Sequence, residues 1–342
     1  MQKTKRVILA VDIGGTKVEA GLVTSGGKIL STERARMVAN KSAAEGLAAV
    51  CEAIDAILKG RRTQKVRAIG ISVPGWVDSK TGTLLMAANL PCWKDFPLAR
   101  KIQKHYRLPV RVANDAKAAA LAEAAWGAGR GYSNMFYVTL GTGAGTGHVI
   151  DGKIYMGRRG PGGEGGHTTI DFHGPLCGCG KRGCAELYIS GPAIARNARE
   201  RIGKDSGSGS LMLKFAGGDA ANVTAETVVK AAAVGDALAE EVLAEAAEHL
   251  AIWFGNIIDL LEPEVIVIGG GLAEVAMSLL AEIRRHLDRW ACSPGHQETA
   301  IAKAFYGAES ALVGAGALWI PSEEMRRASG AGGVAHRKSS KT

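Results

Sequence analysis

The chain contains two segments built on one pattern, and this repeat limits the folds that it can adopt. VILAVDIGGTKVEAGLVT runs from Val7 to Thr24, and MFYVTLGTGAGTGHVIDGKIY runs from Met135 to Tyr155. In each segment an apolar run leads into a turn rich in Gly and Thr, and a second apolar alternation follows, which is typical of a β-hairpin. A repeat at this distance predicts two domains built on the same plan.

Helix and strand signals alternate along the rest of the chain. Apolar spacing predicts helices over Ala43–Leu58, Leu98–Tyr106, Ala116–Trp126 and Asp236–Leu261. Apolar runs that end in turn residues predict strands over Val66–Gly75, Val110–Ala116 and Glu264–Gly271. This alternation predicts the α/β class. The stretch Ser206–Ser210, SGSGS, is predicted to be a flexible loop.

The net charge of +9 is concentrated at the two ends of the chain. Lys3, Lys5 and Arg6 contribute +3, and residues 321–342 contribute a further +3, so +3 remains for the body. Basic ends on a nearly balanced body are typical of solvated tails, and residues 321–342 are predicted to be disordered. We expect no nucleic-acid partner, because aromatic residues do not interleave with the basic ones.

Cysteine content and apolar segments indicate the compartment. Six cysteines in 342 residues do not indicate a disulfide scaffold. The apolar run Val7–Val11 is too short for a signal peptide, and no run is long enough to cross a bilayer. The sequence therefore predicts a cytoplasmic protein without a membrane partner.

Both glycine turns are candidate phosphate sites, because glycine lets backbone N–H groups approach an anion closely. DIGGTK, Asp12 to Lys17, and LGTGAGTG, Leu140 to Gly147, each lead into a strand rather than a helix. They are therefore neither a P-loop nor a dinucleotide fingerprint. Two ordinary hairpins are the simpler alternative, but a third glycine turn, GGG after the strand at Glu264, favours a site for a bound triphosphate.

Asp12 stands at the end of the first predicted strand. A carboxylate beside a phosphate site is unfavourable unless a cation intervenes, and Mg²⁺ fits this position. The alternative is an Asp that only initiates the turn before glycine.

Three cysteines, Cys177, Cys179 and Cys184, cluster in a glycine-rich loop. Three thiolates and one imidazole form a closed, structural zinc site. The upstream His167 is the candidate fourth ligand, although His173 is nearer in sequence. An odd number of cysteines makes a disulfide the weaker alternative.

The loop that holds this cluster also carries Glu164 and Glu186. Two carboxylates and a metal-fixed imidazole can hydrogen-bond several hydroxyls at once, which predicts a polyol or sugar as the substrate. The alternative for each glutamate is a solvated surface charge.

The run VANDA ends a predicted strand with Asn114 and Asp115. Phosphoryl transfer to a hydroxyl needs one positioned base, and Asp115 is the candidate, with Asn114 as a donor to a neighbouring hydroxyl. Taken alone, Asn-Asp is equally typical of a helix cap.

In their order along the chain, these motifs resemble the ROK sugar kinases, which share the actin-like ATPase fold with hexokinase. The resemblance covers roughly residues 6–320 and rests on DIGGTK, SVPG, AANLPCW, VANDA, LGTGAGTG, GEGGH and CGCGKRGCAE. It implies two related actin-like, ribonuclease H-like α/β domains flanking a cleft. It also implies ATP with Mg²⁺, a structural Zn²⁺, and a homodimer or homotetramer.

The resemblance also implies roles for individual residues. The ATP phosphates would lie at Asp12, Gly14, Gly15, Thr16 and Lys17, and at the second loop of Gly141, Thr142 and Gly143. The adenosine would lie near Gly269, Gly270 and Gly271. Sugar hydroxyls would bind Asn114, Glu164, His167 and Glu186, with Gly75 and Asn89 at the rim and Asp115 as the base. Zinc would be held by His167, Cys177, Cys179 and Cys184.

The resemblance implies a small domain over residues 1–115, closed by a last helix at about 309–320, and a large domain over 116–308 with the zinc loop.

The sequence departs from the family at Gly165, where glucokinases of the family usually carry an aliphatic residue. It predicts a looser loop or a bulkier substrate. The first strand, expected at Val7, leaves no room for a helix-turn-helix before it, which argues against the family's repressors.

The resulting expectation is a glucokinase that transfers phosphate from ATP to the 6-hydroxyl of glucose. A kinase for N-acetylglucosamine, N-acetylmannosamine or fructose is the nearest alternative. A non-catalytic sugar sensor is the alternative from another class, and Asp115 argues against it because a sensor needs no base. The hexose, the choice between ATP and polyphosphate, the subunit number and the role of the basic tail are left open.

Overall fold

The computed structural model describes residues 7–38, 41–59, 66–204 and 211–321. Three sequence predictions lie outside these residues: the basic N-terminal residues, the loop at Ser206–Ser210, and the disordered tail.

The first part of the chain forms a five-stranded sheet and a separate hairpin. Its strands are β1 Val7–Ile13, β2 Lys17–Thr24, β3 Ile29–Arg36, β4 Val66–Val73, β5 Trp76–Asp78, β6 Thr83–Met86 and β7 Val110–Asn114. Its helices are α1 Ala43–Lys59, α2 Leu98–Tyr106 and α3 Asp115–Trp126. The edge strand β3 exposes charged side chains, which discourage pairing with another chain.

A second five-stranded sheet follows. Its strands are β8 Met135–Leu140, β9 Ala144–Ile150, β10 Lys153–Ile154, β11 Val265–Gly269 and β12 Ala300–Lys303. The helices that follow α3 along the chain are α4 Glu186–Ile189, α5 Gly191–Lys204, α6 Leu211–Phe215, α7 Ala225–Ala232, α8 Ala237–Leu261, α9 Ala273–Ser278, α10 Leu280–Trp290 and α11 Ser310–Ala317. Among the described helices, none combines the length and the apolar character that crossing a membrane requires.

The two sheets share one strand order. The first runs β3-β2-β1-β4-β7 and the second β10-β9-β8-β11-β12. In each, a glycine-turn hairpin supplies neighbouring strands, β1 with β2 and β8 with β9, and parallel pairs complete the other side. The α/β class is confirmed, and both repeated segments fold into corresponding strands.

Contacts between residues divide the chain into two units. The first comprises the described residues within Met1–Tyr137, Gly147–Gly163 and Ala304–Thr342, and the second those within Val138–Thr146 and Glu164–Lys303. Helix α3 thus groups with the first unit, whereas the sequence analysis assigns it to the second domain. The domain boundaries themselves stay a prediction.

Glycines allow α11 to pack closely within the first unit. A Cβ on Gly314 would lie 1.9 Å from the carbonyl oxygen of Ala118 in α3. A Cβ on Gly70 in β4 would lie 1.8 Å from the carbonyl oxygen of Ala315. Because these obstacles are backbone atoms, a side chain at either position would force the elements apart. This contact explains why α3 groups with the first unit.

We expect Gly314→Ala to lower the free energy of unfolding by about 1–3 kcal/mol, the usual effect of overpacking a tight core. Urea unfolding followed by circular dichroism measures this change. Gly203→Ala is the matched control, because the same Cβ there meets no atom within 4 Å and alanine favours a helix. A Gly314→Ala protein as stable as the wild type would contradict the packing argument.

Candidate active site

Three parallel strands of the first sheet bring polar residues to one edge. Strand β1 pairs with β4 so that Asp12 lies opposite Ser72, and β4 pairs with β7 so that Val73 lies opposite Asn114. The carboxyl ends of parallel strands are where open α/β sheets bind ligands. The structure therefore places Asp12 and the Asn114–Asp115 pair at this edge, within the first unit.

The Asp12 carboxyl accepts a hydrogen bond from the Ser72 hydroxyl. Burial raises the pKa of Asp12 to about 6, and the charge of Asp115 also raises it, while the Ser72 hydrogen bond and the charge of Lys17 lower it. Two neighbouring carboxylates of this kind provide the hard oxygen ligands that a divalent cation takes.

Asn114 is the N-cap of α3, as the simpler sequence interpretation held. Its side-chain oxygen accepts from the backbone N–H groups of Ala116 and Lys117, at 3.0 and 3.2 Å. Its amide donates to the Gly75 carbonyl oxygen at 3.1 Å. An amide nitrogen carries two N–H groups, and the second donates to the Asp115 carboxylate. The cap therefore holds the Asn114 side chain between Gly75 and the predicted base.

Asp115 opens α3, and its carboxylate accepts the Ala116 N–H at 2.8 Å. Burial raises the pKa of this carboxyl, although the hydrogen bonds from Ala116 and Asn114 lower it. A buried carboxylate at a helix N-terminus is held in one orientation, and a raised pKa makes it a better proton acceptor.

The first glycine turn closes on itself at the same edge. The N–H of Gly14 donates to the Lys17 carbonyl oxygen at 2.8 Å. A Cβ on Gly15 would lie 3.0 Å from the carbonyl oxygen of Asn89, so a larger residue would crowd this turn. The Lys17 ammonium lies 3.2 Å from the Glu19 carboxylate.

The second unit holds a cavity of about 630 Å³ at the second glycine turn. Gly141, Thr142 and Gly271 line it, so two of the turns that sequence analysis assigned to a nucleotide meet on one cavity. Gly270 has a positive φ of 83°, and a Cβ there would lie 2.2 Å from the Leu140 carbonyl oxygen. Glycine is therefore required where this turn crosses the end of β8.

The sequence analysis missed the contribution of α5 to this cavity. Gly191 and Pro192 open α5 and line the cavity, and the Gly191 N–H donates to the Gly141 carbonyl oxygen at 2.8 Å. This bond fixes the start of α5 against the second glycine turn. Proline in the first turn of a helix was the signal that could have revealed this start.

The second unit also gathers the residues predicted to bind zinc. One ligand atom each from His167, Cys177, Cys179 and Cys184 lies within 4.8 Å of the others. The Cys177 sulfur is 3.6 Å from His167 Nδ1, and the Cys179 and Cys184 sulfurs are 3.6 Å apart. Zn–S bonds of about 2.3 Å in a tetrahedron separate two ligand sulfurs by about 3.8 Å. The four residues therefore fit a zinc ion.

His173, the alternative fourth ligand, packs against Phe172 with tilted rings whose centroids are 3.9 Å apart, and it is not part of the group. The loop folds through positive φ at Gly180 and Gly183, at 89° and 61°. A Cβ on Gly183 would collide with the Asp171 carbonyl oxygen. These turns bring the cysteines together without a helix or strand between them.

Near the cluster, Glu186 contacts the second glycine turn, and the backbone beside Glu164 contacts the buried helix α8. Glu186 follows Cys184 by two residues and accepts the Ala144 N–H at 2.9 Å. Gly165, beside Glu164, donates its N–H to the Thr146 hydroxyl at 2.8 Å. Its carbonyl oxygen accepts from Trp253 Nε1 at 3.1 Å and from the Thr168 hydroxyl at 2.7 Å. The backbone at Gly165 is thus held on both sides.

The predicted site residues are divided between the two units. The first unit holds Asp12, Gly14, Gly15, Thr16, Lys17, Gly75, Asn89, Asn114 and Asp115. The second holds Gly141, Thr142, Gly143, Glu164, His167, Cys177, Cys179, Cys184, Glu186, Gly269, Gly270 and Gly271.

Comparison with known proteins identifies the family to which this geometry belongs. A sequence profile of the ROK family matches residues 8–322. The chain belongs to the ROK family. Its fold is therefore the actin-like ATPase fold that the motifs implied.

ROK relatives match the chain over most of its length. A glucokinase of Halalkalibacterium halodurans is 36% identical over 325 residues, which are 93% of this chain and 96% of the relative. An N-acetylmannosamine kinase of Yersinia pseudotuberculosis is 34% identical over 313 residues, or 91% and 97% of the two chains. A ROK glucokinase from Streptomyces griseus, solved with glucose and AMPPNP, is 35% identical with a TM-score of 0.77, covering 91% of this chain and 98% of its own.

The buried Asp12 of this ROK protein makes its stability depend on pH. The folded state holds the Asp12 proton up to about pH 6, whereas the ordinary value is 3.8. Stability therefore falls as the pH rises through this interval, because the folded state then binds more protons than the unfolded state. Asn cannot ionise, and its side-chain oxygen still accepts from Ser72.

We expect Asp12→Asn to raise the free energy of unfolding by about 3 kcal/mol at neutral pH and to leave it unchanged below about pH 4. Urea titrations without nucleotide or Mg²⁺ measure both values. The exposed Asp151→Asn controls for the loss of one charge. Equal stability of the Asp12 variant and the wild type at neutral pH would refute the claim that the folded state disfavours the ionised Asp12 carboxylate.

Proposed function

We propose that this ROK protein is an ATP-dependent hexose kinase that phosphorylates glucose on its 6-hydroxyl. The observation that carries the proposal is the partly buried carboxylate of Asp115, held at the start of α3 beside Asp12 at the carboxyl edge of the first sheet. The relatives and the solved complex with glucose and AMPPNP support the same reaction.

In the proposed reaction, Asp115 accepts the proton of the 6-hydroxyl as that oxygen attacks the γ-phosphorus of ATP. The bond between the γ-phosphorus and the bridging oxygen breaks, and ADP leaves. Asp115 then releases its proton to solvent. The protein contributes positioning and charge stabilisation, which dominate phosphoryl transfer. Asp12 would hold Mg²⁺, which neutralises the charge of the phosphates when it is bound.

Nucleotide binding is assigned to the two glycine turns and to the cavity of the second unit. Backbone N–H groups at Gly14–Lys17 and Gly141–Gly143 suit phosphate oxygens. The cavity at Gly141, Thr142 and Gly271 has the volume and the mixed lining of a cofactor site. The start of α5 lines the same cavity and is hydrogen-bonded to Gly141.

Sugar recognition is assigned to Asn114, Glu164, His167 and Glu186, with Gly75 and Asn89 at the rim. One Glu186 oxygen accepts the Ala144 N–H, which fixes the carboxylate. A carboxylate has two acceptor oxygens, so the second can accept a hydrogen bond from a sugar hydroxyl. A wrongly placed hydroxyl would leave such groups unpaired, which makes them selective.

Zinc is assigned a structural role, held by His167 and the three cysteines. Because Nδ1 of His167 faces the Cys177 sulfur, zinc bound there would leave Nε2 for the sugar. The loop would then present Glu186 and His167 in fixed positions. A homodimer or homotetramer and a cytoplasmic location stay predictions.

We expect Asp115→Asn to lower kcat by about 10²–10⁴-fold, since this is the usual contribution of a positioned base. Glucose affinity should remain within about threefold of the wild type, because the amide keeps the shape and one acceptor. Coupled ADP assays and equilibrium titration of glucose measure the two quantities. Asp151→Asn is the surface control. Near-normal turnover of the Asp115 variant would remove this residue as the base.

We expect Cys179→Ser to reduce bound zinc from about one ion per chain to near zero, since closed sites need all four ligands. Glucose affinity should fall with it. Elemental analysis by mass spectrometry measures the metal. Cys292→Ser is the control, because this exposed cysteine lies outside the cluster. Unchanged zinc content in the Cys179 variant would contradict the site.

A N-acetylhexosamine kinase is the second candidate, favoured by the N-acetylmannosamine kinase among the relatives and by the missing side chain at Gly165. Comparison of kcat/KM for glucose, N-acetylmannosamine, N-acetylglucosamine and fructose separates the candidates. The proposal requires glucose to give the highest value. Absence of turnover with every sugar would instead favour the sugar sensor.

A further inference from the structure

A second cavity, of about 650 Å³, lies within the first unit and contains none of the residues assigned to catalysis. Its walls come from the β5–β6 turn, α2, β7, β10 and the residues that follow α11. The volume falls in the usual range for small-molecule sites. The proposed kinase reaction does not use it.

Four cationic side chains line this cavity, each from a different element: Lys80, Arg100, Arg111 and Lys153. No Asp or Glu is among its described lining residues. All four residues are exposed, and together they give the cavity a positive charge that would attract an anion. Arginine and lysine together are the residues that bind phosphate groups.

Arg111 is held in place before any ligand arrives. Its guanidinium lies 4.3 Å from the centre of the Trp319 ring and donates to the Leu318 carbonyl oxygen at 2.6 Å. Trp319 Nε1 in turn donates to the Ile69 carbonyl oxygen at 2.9 Å. A guanidinium fixed in this way loses little conformational entropy on binding an anion.

Part of the remaining wall is apolar. Val112, Leu121, Ile154 and Trp319 line the cavity beside the cations. An inorganic ion would not use this surface, whereas the carbon skeleton of an organic molecule would bury it. The two kinds of wall together define a ligand with an anionic group and a compact organic part.

We propose that this cavity is a second, non-catalytic site for a small organic phosphate such as a hexose monophosphate. Its position links it to the catalytic edge. Strand β7 begins in the cavity at Val110 and ends at Asn114, and the β5–β6 hairpin begins next to Gly75, whose carbonyl oxygen Asn114 contacts.

The test uses the full-length protein saturated with glucose and AMPPNP, so that the catalytic site is filled. Isothermal titration with glucose 6-phosphate should then reveal one further site per chain. Inorganic phosphate, titrated in parallel, should bind at least about tenfold more weakly, because it lacks the organic part. The prior titrations with glucose and AMPPNP also test the proposed function, so its failure would be recognised separately.

Two double variants on and near α2 separate the site from general surface charge. K80A/R100A removes two cations of the cavity and should weaken glucose 6-phosphate binding by at least about tenfold. K101A/K104A removes the same charge from exposed positions of α2 outside the cavity and should bind as the wild type does.

Three results would overturn the proposal: no binding to the saturated protein, equal weakening by the two double variants, or equal affinity for inorganic phosphate and the hexose phosphate. The last would show that the apolar wall has no part in binding.

Discussion

The parallel pairing of β1, β4 and β7 is the constraint that positions the proposed catalytic residues of the first unit. Their register places Asp12 opposite Ser72 and Val73 opposite Asn114, so the carboxyl ends of three strands coincide. Asp115 follows directly, as the first residue of α3. A slip in register would separate the two carboxylates and detach Asn114 from Gly75. The geometry of the proposed base therefore follows from backbone hydrogen bonds as much as from side chains.

The two carboxyls at this edge lower the stability of the folded chain. Burial raises the pKa of both Asp12 and Asp115, which means that their ionised forms are disfavoured in the folded chain. Close packing elsewhere in the unit offsets this disadvantage, most visibly where α11 approaches α3 and β4 through Gly314 and Gly70. A cation and a nucleotide phosphate would stabilise the same charges from outside. Functional sites commonly retain such locally unfavourable groups.

The sequence could predict those features that short, local motifs specify. The repeated hairpins fold as β1–β2 and β8–β9, and the cysteine motif assembles with His167 because glycines at 180 and 183 permit the turns. The start of α5 and the basic cavity were not predicted. Their residues are far apart in sequence, as Lys80 and Lys153 are, and only tertiary packing brings them together. For Asn114 the sequence left a helix cap and a site residue as alternatives, and in the structure the same residue caps a helix and faces the site.

The central claim is that this chain transfers the terminal phosphate of ATP to a hexose hydroxyl. A ³¹P NMR time course of the full-length protein with glucose, ATP and Mg²⁺ tests it most directly. The account predicts a phosphomonoester resonance coupled to the protons on C6 of glucose, growing in step with ADP. Formation of ADP with free phosphate and no phosphomonoester, or no reaction at all, would contradict it.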